Sequence, residues 1–371
     1  MDRNIYNSNK TISLTKENTT RSTKIFILLF VFIVFSYIAL MQLGDTMLLE
    51  IFDIQGKDSF ISFGEGLNAS IFKFIFKIAM FSLPIIFILS LELTYSPIKY
   101  FKQLAQTSLG RISQSEGYKY ADIWYFFFGI FRAKLTTITV ILTLGTSHFS
   151  DALSSWFHGL YKSIIPISNS VFIGTLVIVF AILIGELGEY IDHYMTHRIP
   201  FLWDLHEFHH SATQMTMLSN SRGNVLQEVI MAPVMLPFSV FSGLVINEYL
   251  GQRFMTPLFI YMIFATMKLI FGVIGHSSLL ILYPKPISYI FMSPSLHWIH
   301  HSDNPDHYDR NIGGCFTLWD RVFGTYLDES HLQNIESFGV KNTQYNRYHP
   351  LYSYSILPIL KIIRRVKKVL I

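Results

Sequence analysis

The sequence is poor in cysteine and in charged residues. Cys315 is the one cysteine among 371 residues, which excludes an internal disulfide framework and any cysteine-based zinc or iron–sulfur site. A single thiol also fits a site that faces a reducing compartment. Charged residues make up 15% of the chain, whereas an average soluble domain has about 25%. Hydrophobic residues make up 51% and are gathered into long runs, so we predict an integral membrane protein.

A cofactor motif is missing as well. The chain has no G-x-G-x-x-G motif, which argues against a nicotinamide or flavin domain. The H-E-x-x-H pattern of metalloproteases does occur, at His206, Glu207 and His210, so a membrane metalloprotease is a third option. The formal net charge is only +4, and the basic residues lie at the ends and in one loop, so we expect no nucleic-acid partner.

The long apolar runs predict the fold class. A bilayer is crossed by about 20 consecutive apolar residues, and the candidate runs are 25–43, 71–93, 135–144, 171–187, 226–250 and 257–273. Lysine and arginine are enriched in the segments that the positive-inside rule places in the cytosol, and these include both termini. We therefore predict an all-α, multi-pass membrane bundle of about four to six transmembrane helices, with a cytosolic helical cap, in a bacterial inner membrane or the endoplasmic reticulum.

The same pattern divides the chain into parts. They are a polar, disordered N-terminal segment (1–24), the N-terminal helices and loops (25–170), a catalytic domain (171–328) and a basic tail (329–371). Two shorter stretches are expected at the membrane surface: the aromatic 123–131, which is too short to span, and the basic 361–368, which suits lipid headgroups.

Histidines are grouped in ligand-like spacings. The chain has 14, and three clusters stand out: His193 and His197; His206, His209 and His210; and His297, His300 and His301. On a helix, residues at i, i+3 and i+4 share one face, so each cluster can present two or three imidazoles to one point. Because a structural zinc takes four protein ligands and a catalytic zinc usually three, this many imidazoles predicts two metal ions.

These clusters resemble those of the fatty acid hydroxylase / sterol desaturase superfamily of membrane enzymes. The match consists of H-x3-H at His193 and H-x2-H-H at both His206 and His297. Further similarities lie within residues 183–328, in Pro200-Phe-Leu-Trp203, Ser211, Arg222, Gly275-His276-Ser277 and the run from Trp319 to Thr325. The resemblance implies an O2-dependent oxidoreductase with two histidine-bound iron ions, for which zinc can substitute in preparations. It also implies His276 as a ninth ligand.

The resemblance further implies a lipid substrate and an external source of electrons. Sterol, fatty acyl and ether lipid substrates stay open, as does the choice between hydroxylation and desaturation. A fused electron donor is not expected, because His349-Pro350 continues with Leu-Tyr and not with the diglycine of a cytochrome b5 haem loop. The partner would be a separate donor of the cytochrome b5, ferredoxin or reductase type.

Charged residues near the clusters are candidate catalytic groups. Glu186 and Asp192 precede the first cluster on the same predicted helix, and carboxylates often hydrogen-bond the outer nitrogen of a ligating histidine. Arg222 is expected to orient these carboxylates or a substrate headgroup. His307, near several aspartates, is a weaker candidate for an outer partner.

Other functions would leave part of the pattern unexplained. A histidine-rich membrane protein that binds or transports metal without redox chemistry is the main alternative, but a transporter needs ligands near the middle of the bilayer, and these clusters are expected beyond the helix ends. A purely structural membrane protein would not require the three clusters.

Overall fold

The structure is a computed structural model, and the regular secondary structure in the part that it describes is helical. That part comprises residues 20–29, 31–32, 86–95, 108–112, 117–118, 120–129, 155–156, 159, 171–250, 264, 267–268, 271–272 and 274–370. The described ranges contain no strand beyond two isolated antiparallel bridges, Phe291 with Phe316 and Ser302 with Phe338. The prediction of a mostly helical protein is confirmed.

Nine α-helices have described boundaries. In chain order they are α1 Ser108–Ile112, α2 Val171–Arg198, α3 Pro200–His210, α4 Val225–Leu250, α5 Lys285–Ser288, α6 Pro294–His300, α7 Leu318–Phe323, α8 Pro350–Ser355 and α9 Leu357–Leu370. Short 3-10 helices lie at Ser219–Ser221, Pro305–His307 and Glu329–Asn334. Helical residues are also described at 20–29, Ile86–Tyr95 and 121–129. The first of these begins inside the segment predicted to be disordered.

Two helices in the described ranges are long and apolar enough to cross a membrane, Phe172–Arg198 and Val225–Ile246. They coincide with the predicted runs at 171–187 and 226–250. The runs at 135–144, most of 25–43, most of 71–93 and most of 257–273 lie outside the described residues. The predicted count of four to six spans therefore stays a prediction.

Helix α2 continues beyond the predicted end of its apolar run. The prediction ended the run at 187, where polar residues appear, but the helix reaches Arg198 because no helix-breaking residue occurs before Pro200. Ile199, the residue before that proline, is extended with φ −96° and ψ 116°, as expected for a residue that precedes proline. The extension places His193 and His197 on the last turns of α2, and α3 begins directly after the bend.

Helices α2 and α4 pack against each other through apolar side chains. Ile178, Ala181 and Ile182 of α2 are buried with Val245 and Ile246 of α4. On the other side of α2, large apolar residues are exposed at helical spacing, as on a lipid-facing surface: Phe172, Leu176 and Phe180.

A glycine allows the close approach of α2 and α4. A Cβ added at Gly188 would lie 2.6 Å from the Cβ of Phe238, so an alanine there would push the helices apart. Small residues at such crossings are typical of packed membrane helices. The contact fixes α4 against the turn of α2 that precedes His193.

The residues from 274 onward form a cap over the ends of α2 and α3. Its core contains Met215 from the α3–α4 connection together with residues of α6 and of the Glu329–Asn334 helix, including Leu296, Ile299, Leu332 and Ile335. The segment from Asp303 leads into the Pro305–His307 helix, which the Asn304 side chain caps by accepting from the Asp306 N–H. The predicted basic tail is folded into α8 and α9.

Candidate metal centre

Nine histidines converge below the cap, and they form two groups. The five-histidine group contains His193, His197, His206, His210 and His300; the four-histidine group contains His209, His276, His297 and His301. Within each group, one ring nitrogen from every histidine lies within 4.8 Å of the others. These are the nine histidines that the sequence singled out, and their role as ligands stays a proposal until metal binding is measured.

The two groups are adjacent because they share helices. Helix α3 gives His206 and His210 to the five-histidine group and His209 to the other, since neighbouring residues on a helix point about 100° apart. At the end of α6, His300 and His301 divide in the same way. The rings of His210 and His301 stack with centroids 4.4 Å apart, so the groups have a common wall.

Four members of the five-histidine group are held by their Nδ1 atoms. The contacts are His193 to the Ile312 carbonyl at 2.6 Å, His300 to the Arg310 carbonyl at 2.9 Å, His206 to the Gln227 amide oxygen at 3.2 Å and His197 to the Asp309 carboxylate at 3.3 Å. A carbonyl oxygen can only accept, so Nδ1 of His193 and His300 carries the proton. In a neutral imidazole, this leaves the Nε2 lone pair free to bind a metal.

The inward nitrogens lack ordinary partners. The Nε2 atoms of His197, His210 and His300 are buried, and no described residue hydrogen-bonds to them. Elsewhere Nε2 atoms face each other in pairs. The Nε2 atoms of His193 and His206 are 3.1 Å apart, and those of His276 and His301 are 3.0 Å apart. A buried polar atom without a partner costs about 1–3 kcal/mol, and facing lone pairs repel. Cations between these nitrogens would relieve both costs, so the residues fit a metal-binding site.

Burial keeps the imidazoles neutral. Removal from water lowers the pKa of His276 to about 3. The same cause, together with neighbouring histidines, holds the pKa of other members well below the usual value, namely His206, His209, His210, His297, His300 and His301. The neutral form is the one that binds a metal, so these side chains are ready to ligate at neutral pH.

Glu186 does not take its predicted position beside a histidine. It lies two helical turns before His193, which is about 10 Å along the axis. The Lys268 ammonium donates to its carboxylate at 2.9 Å, and the Cys315 backbone N–H donates at 3.3 Å. Lys268 also pairs with Glu189. Glu186 therefore belongs to an ion-pair network that links α2 to Lys268, and a hydrogen bond connects it to the segment before α7.

Asp192 is next to His193 but points away from the histidines, because successive residues of a helix diverge. Within the described ranges it makes no hydrogen bond or ion pair, and the charged groups that act on it are Glu189 and Glu228. Its predicted contact with a ligating histidine is therefore not seen.

Arg222 is buried and holds the protein scaffold together. Its side chain is 1% exposed, so a substrate headgroup does not reach it. It donates to Asp122 at 2.6 Å, to the Ser211 hydroxyl at 2.7 Å and to the Asn346 amide oxygen at 3.0 Å. Since Ser211 ends α3 directly after His210, these contacts connect Arg222 to the end of the helix that carries three of the histidines.

The residues that orient the histidines were mostly missed by sequence reasoning. Gln227 and the carbonyls of Arg310 and Ile312 carry no motif that could reveal them. Asp320 is fully buried and accepts from the Ile312 N–H at 2.7 Å and from the Gly313 N–H at 2.9 Å. It thereby holds the turn whose carbonyl contacts His193. The sequence indicated Asp320 only through its place in the run from Trp319 to Thr325, which resembles the family.

His307 is buried, but it lies in neither group. Its ring is near that of His331, with centroids 5.8 Å apart. The aspartate that contacts a histidine is instead Asp309, two residues later. Of the other histidines, His349 caps α8 by accepting from the Leu351 N–H.

Asp309 offers a test of how His197 is oriented. It sits at φ 57°, a left-handed conformation that glycine and asparagine tolerate well. We expect Asp309→Gly to weaken metal binding about 10–100-fold, the usual effect of removing an outer partner of a histidine ligand, because His197 loses its acceptor without added backbone strain. The matched control is Asp309→Asn, which keeps an acceptor oxygen and is expected to stay within a few-fold of the parent. Competition with a chelator of known affinity measures both, and equal affinity in the two variants would contradict this role.

A cleft reaches the five-histidine group. It has a volume of about 350 Å³, and its lining residues are His197, Trp203, His210, His300, Ser302, Tyr308, Asp309, Gly339 and Val340. Three of these are the histidines with unpartnered Nε2 atoms. A small molecule or the end of a chain in this cleft would lie beside the group.

Comparison with known proteins gives matches over the same region. Residues 178–325 match the fatty acid hydroxylase family. An alkylglycerol monooxygenase of Caenorhabditis elegans is 30% identical over 153 residues, 41% of this chain and 27% of that protein. The alkylglycerol monooxygenase of Homo sapiens is 26% identical over 39% of the chain and 29% of its own length. An ornithine lipid hydroxylase of Rhizobium tropici is 25% identical over 40% of the chain and 41% of its own length.

The matches cover only part of each protein. The matched segment spans less than a third of the length of the alkylglycerol monooxygenases. No solved structure matches the chain significantly. The predicted resemblance is nevertheless confirmed, since the family and all three relatives belong to the superfamily named from the motifs.

Proposed function

We propose, on the premise that residues 178–325 form a fatty acid hydroxylase domain, that this protein is a membrane-bound oxidoreductase that hydroxylates a lipid. The observation that carries the proposal is the pair of adjacent histidine groups at the end of an apolar helix. In this proposal the five-histidine and four-histidine groups each hold one iron ion. Imidazole suits iron, and the all-nitrogen set adds no uncompensated carboxylate to a buried site.

The protein's contribution is to hold and shield the centre. Two bound iron ions would supply the electrons that reduce and cleave dioxygen and the oxidising power that an unactivated C–H bond requires. The outward contacts of His193, His197, His206 and His300 keep their Nε2 atoms turned inward. The cap covers the groups, and this exclusion of water limits side reactions of a strong oxidant.

The relatives support hydroxylation and a lipid substrate. Their names are monooxygenase and hydroxylase, which favours insertion of oxygen over desaturation. Alkylglycerol and ornithine lipid are different lipid classes, so the likeness supports a lipid without selecting its headgroup. A long chain could reach the centre from the bilayer, because α2 carries two of the histidines and is itself apolar enough to span a membrane.

The reaction requires electrons from outside the substrate. A C–H bond, dioxygen, two electrons and two protons give an alcohol and water. We propose a separate electron donor of the cytochrome b5, ferredoxin or reductase type. We also propose that the centre lies on the cytosolic side of a bacterial inner membrane or the endoplasmic reticulum, where reduced donors are available.

An oxygen-labelling experiment tests the function. The full chain, purified in detergent, is loaded with ferrous iron and incubated with lipids extracted from its host membrane, a chemical reductant and ¹⁸O2. We expect a lipid product that carries one ¹⁸O atom, and no labelled lipid when ¹⁸O is supplied as water. Bound iron with no oxygen-labelled lipid would reject hydroxylation and favour the alternative of a metal-binding protein without redox chemistry.

A further inference from the structure

Helix α9 has an apolar side that faces away from the protein. Ile356 directly precedes the helix, and with Ile359, Ile363 and Val366 it forms a row at helical spacing. These four side chains are 44% to 50% exposed. A row of large aliphatic side chains is unfavourable in water, at about 25 cal/mol per Å² of apolar surface, so something apolar is expected to cover it.

The opposite side of α9 is fixed to α3. Lys361 pairs with Glu207. Arg365 pairs with Asp204 through two contacts, and the one from Nη2 to Oδ1 is 2.9 Å long. Both acceptors lie on α3 among the histidines. These ion pairs set the rotation of α9, and they direct its apolar row outward.

The position of α3 relates α9 to the membrane. Helix α3 begins at Pro200, immediately after the candidate span that ends at Arg198. Because α9 packs on α3, it lies near the polar end of that span. Amphipathic helices beside the end of a membrane span can lie in the bilayer surface.

A second helix continues the exposed surface. In the 121–129 helix, Trp124 is 46% and Phe127 60% exposed. The Trp124 ring contacts that of His349, with centroids 5.8 Å apart, and His349 caps α8, which leads into α9. Tryptophan and tyrosine are enriched where proteins meet the headgroup layer.

Three cations of α9 remain available. Arg364, Lys367 and Lys368 have no carboxylate within ion-pair distance among the described residues. The nearest polar contact of Arg364 is the Gln344 amide oxygen at 3.4 Å. Lysine and arginine beside an apolar row are typical of helices that bind anionic lipid surfaces.

We propose that α9 and the 121–129 helix form a platform that lies in an anionic lipid surface. The row from Ile356 to Val366 enters the acyl region, and Arg364, Lys367 and Lys368 bind anionic headgroups. The platform is independent of the proposed chemistry, because none of its residues belongs to either histidine group.

Site-specific fluorescence in nanodiscs tests the platform. Cys315 is buried and free, so the folded parent chain should not react with a thiol-specific bimane dye, and a ratio of one dye per chain checks that each cysteine variant is folded. Ile363→Cys places the dye in the apolar row. The matched control is Gln333→Cys, on an exposed polar residue of the cap. Each labelled variant is reconstituted in phosphatidylcholine nanodiscs, with or without phosphatidylglycerol. The quenching of its bimane fluorescence is then measured with a nitroxide on the lipid acyl chain and with aqueous iodide.

The expected result is strong nitroxide quenching and iodide protection at 363, and the reverse at 333. The nitroxide quenching at 363 should increase with phosphatidylglycerol. Neutralising Arg364, Lys367 and Lys368 with glutamine should remove this increase, since each cation favours the lipid-bound position about fivefold.

Three outcomes would overturn the proposal. Equal iodide access at 363 and 333 would place the row in water. Protection at 363 from both quenchers would mean that protein covers it. Nitroxide quenching at 363 that does not change when phosphatidylglycerol is added would refute an anionic lipid surface. None of these outcomes depends on turnover, so they are distinguishable from failure of the oxygen-labelling experiment.

Discussion

His301→Ala is expected to reduce the metal content of the purified protein from two ions per chain to one and to stop lipid oxygenation. The Nε2 atom of His301 lies 3.0 Å from that of His276 and 3.1 Å from that of His297. It is therefore the shared neighbour within the four-histidine group, and its loss leaves three ligands where the group had four. Activity should fall by more than the ~10–100-fold that removal of an outer partner causes, because both ions are needed for the chemistry.

The matching variant in the other group is His300→Ala. It removes an unpartnered Nε2 atom from the five-histidine group and should also stop oxygenation, although four ligands remain there. His331→Ala is the control, because this histidine belongs to neither group, and it should keep two ions and full activity. Metal analysis of reduced, chelator-free protein decides the matter. Two ions retained in His301→Ala would mean that the four-histidine group is not a metal site.

Arg222→Ala should destabilise the protein by about 3–5 kcal/mol, the usual cost of leaving one partner of a buried ion pair alone. Asp122 is fully buried, and the pair is 2.6 Å long. Reactivity of Cys315, which becomes accessible only on unfolding, follows the transition in detergent over a denaturant series. The double variant Arg222→Leu with Asp122→Asn removes both charges, and it should recover part of the loss.

A further variant, Arg222→Lys, separates a positioning role from contact with substrate. If Arg222 only positions the end of α3, the surviving folded fraction of Arg222→Lys should keep the parent KM, and kcat should fall through misplacement of His209 and His210. A raised KM with unchanged unfolding would instead show that the guanidinium binds substrate, against its 1% exposure.

Local spacing made much of the site predictable. Intervals of three and four residues along a helix report which side chains share a face, so the clusters at His193, His206 and His297 could be recognised without a structure. The long apolar runs likewise indicated α2 and α4. The adjacent pairs His209–His210 and His300–His301 could even have indicated two groups, because neighbours on a helix diverge.

Contacts between distant segments could not be predicted in this way. Arg222 meets Asp122, which is 100 positions away, and His193 is oriented by a backbone carbonyl of residue 312, which has no side-chain signature. Glu186 was assigned to the histidines because it precedes them on one helix and carboxylates often hydrogen-bond the outer nitrogen of a ligating histidine. Its partner proved to be Lys268, from a segment with which no motif connects it.

The division of α3 and α6 between the two groups restricts how this sequence can change in evolution. Deleting or inserting one residue between His206 and His209 would rotate the following histidines by about 100°. Histidines of one group would then point toward the other, and both groups would be disrupted together. We therefore expect homologous chains to vary in length outside these two helices, whereas within each helix gaps should be absent even where the intervening residue types differ.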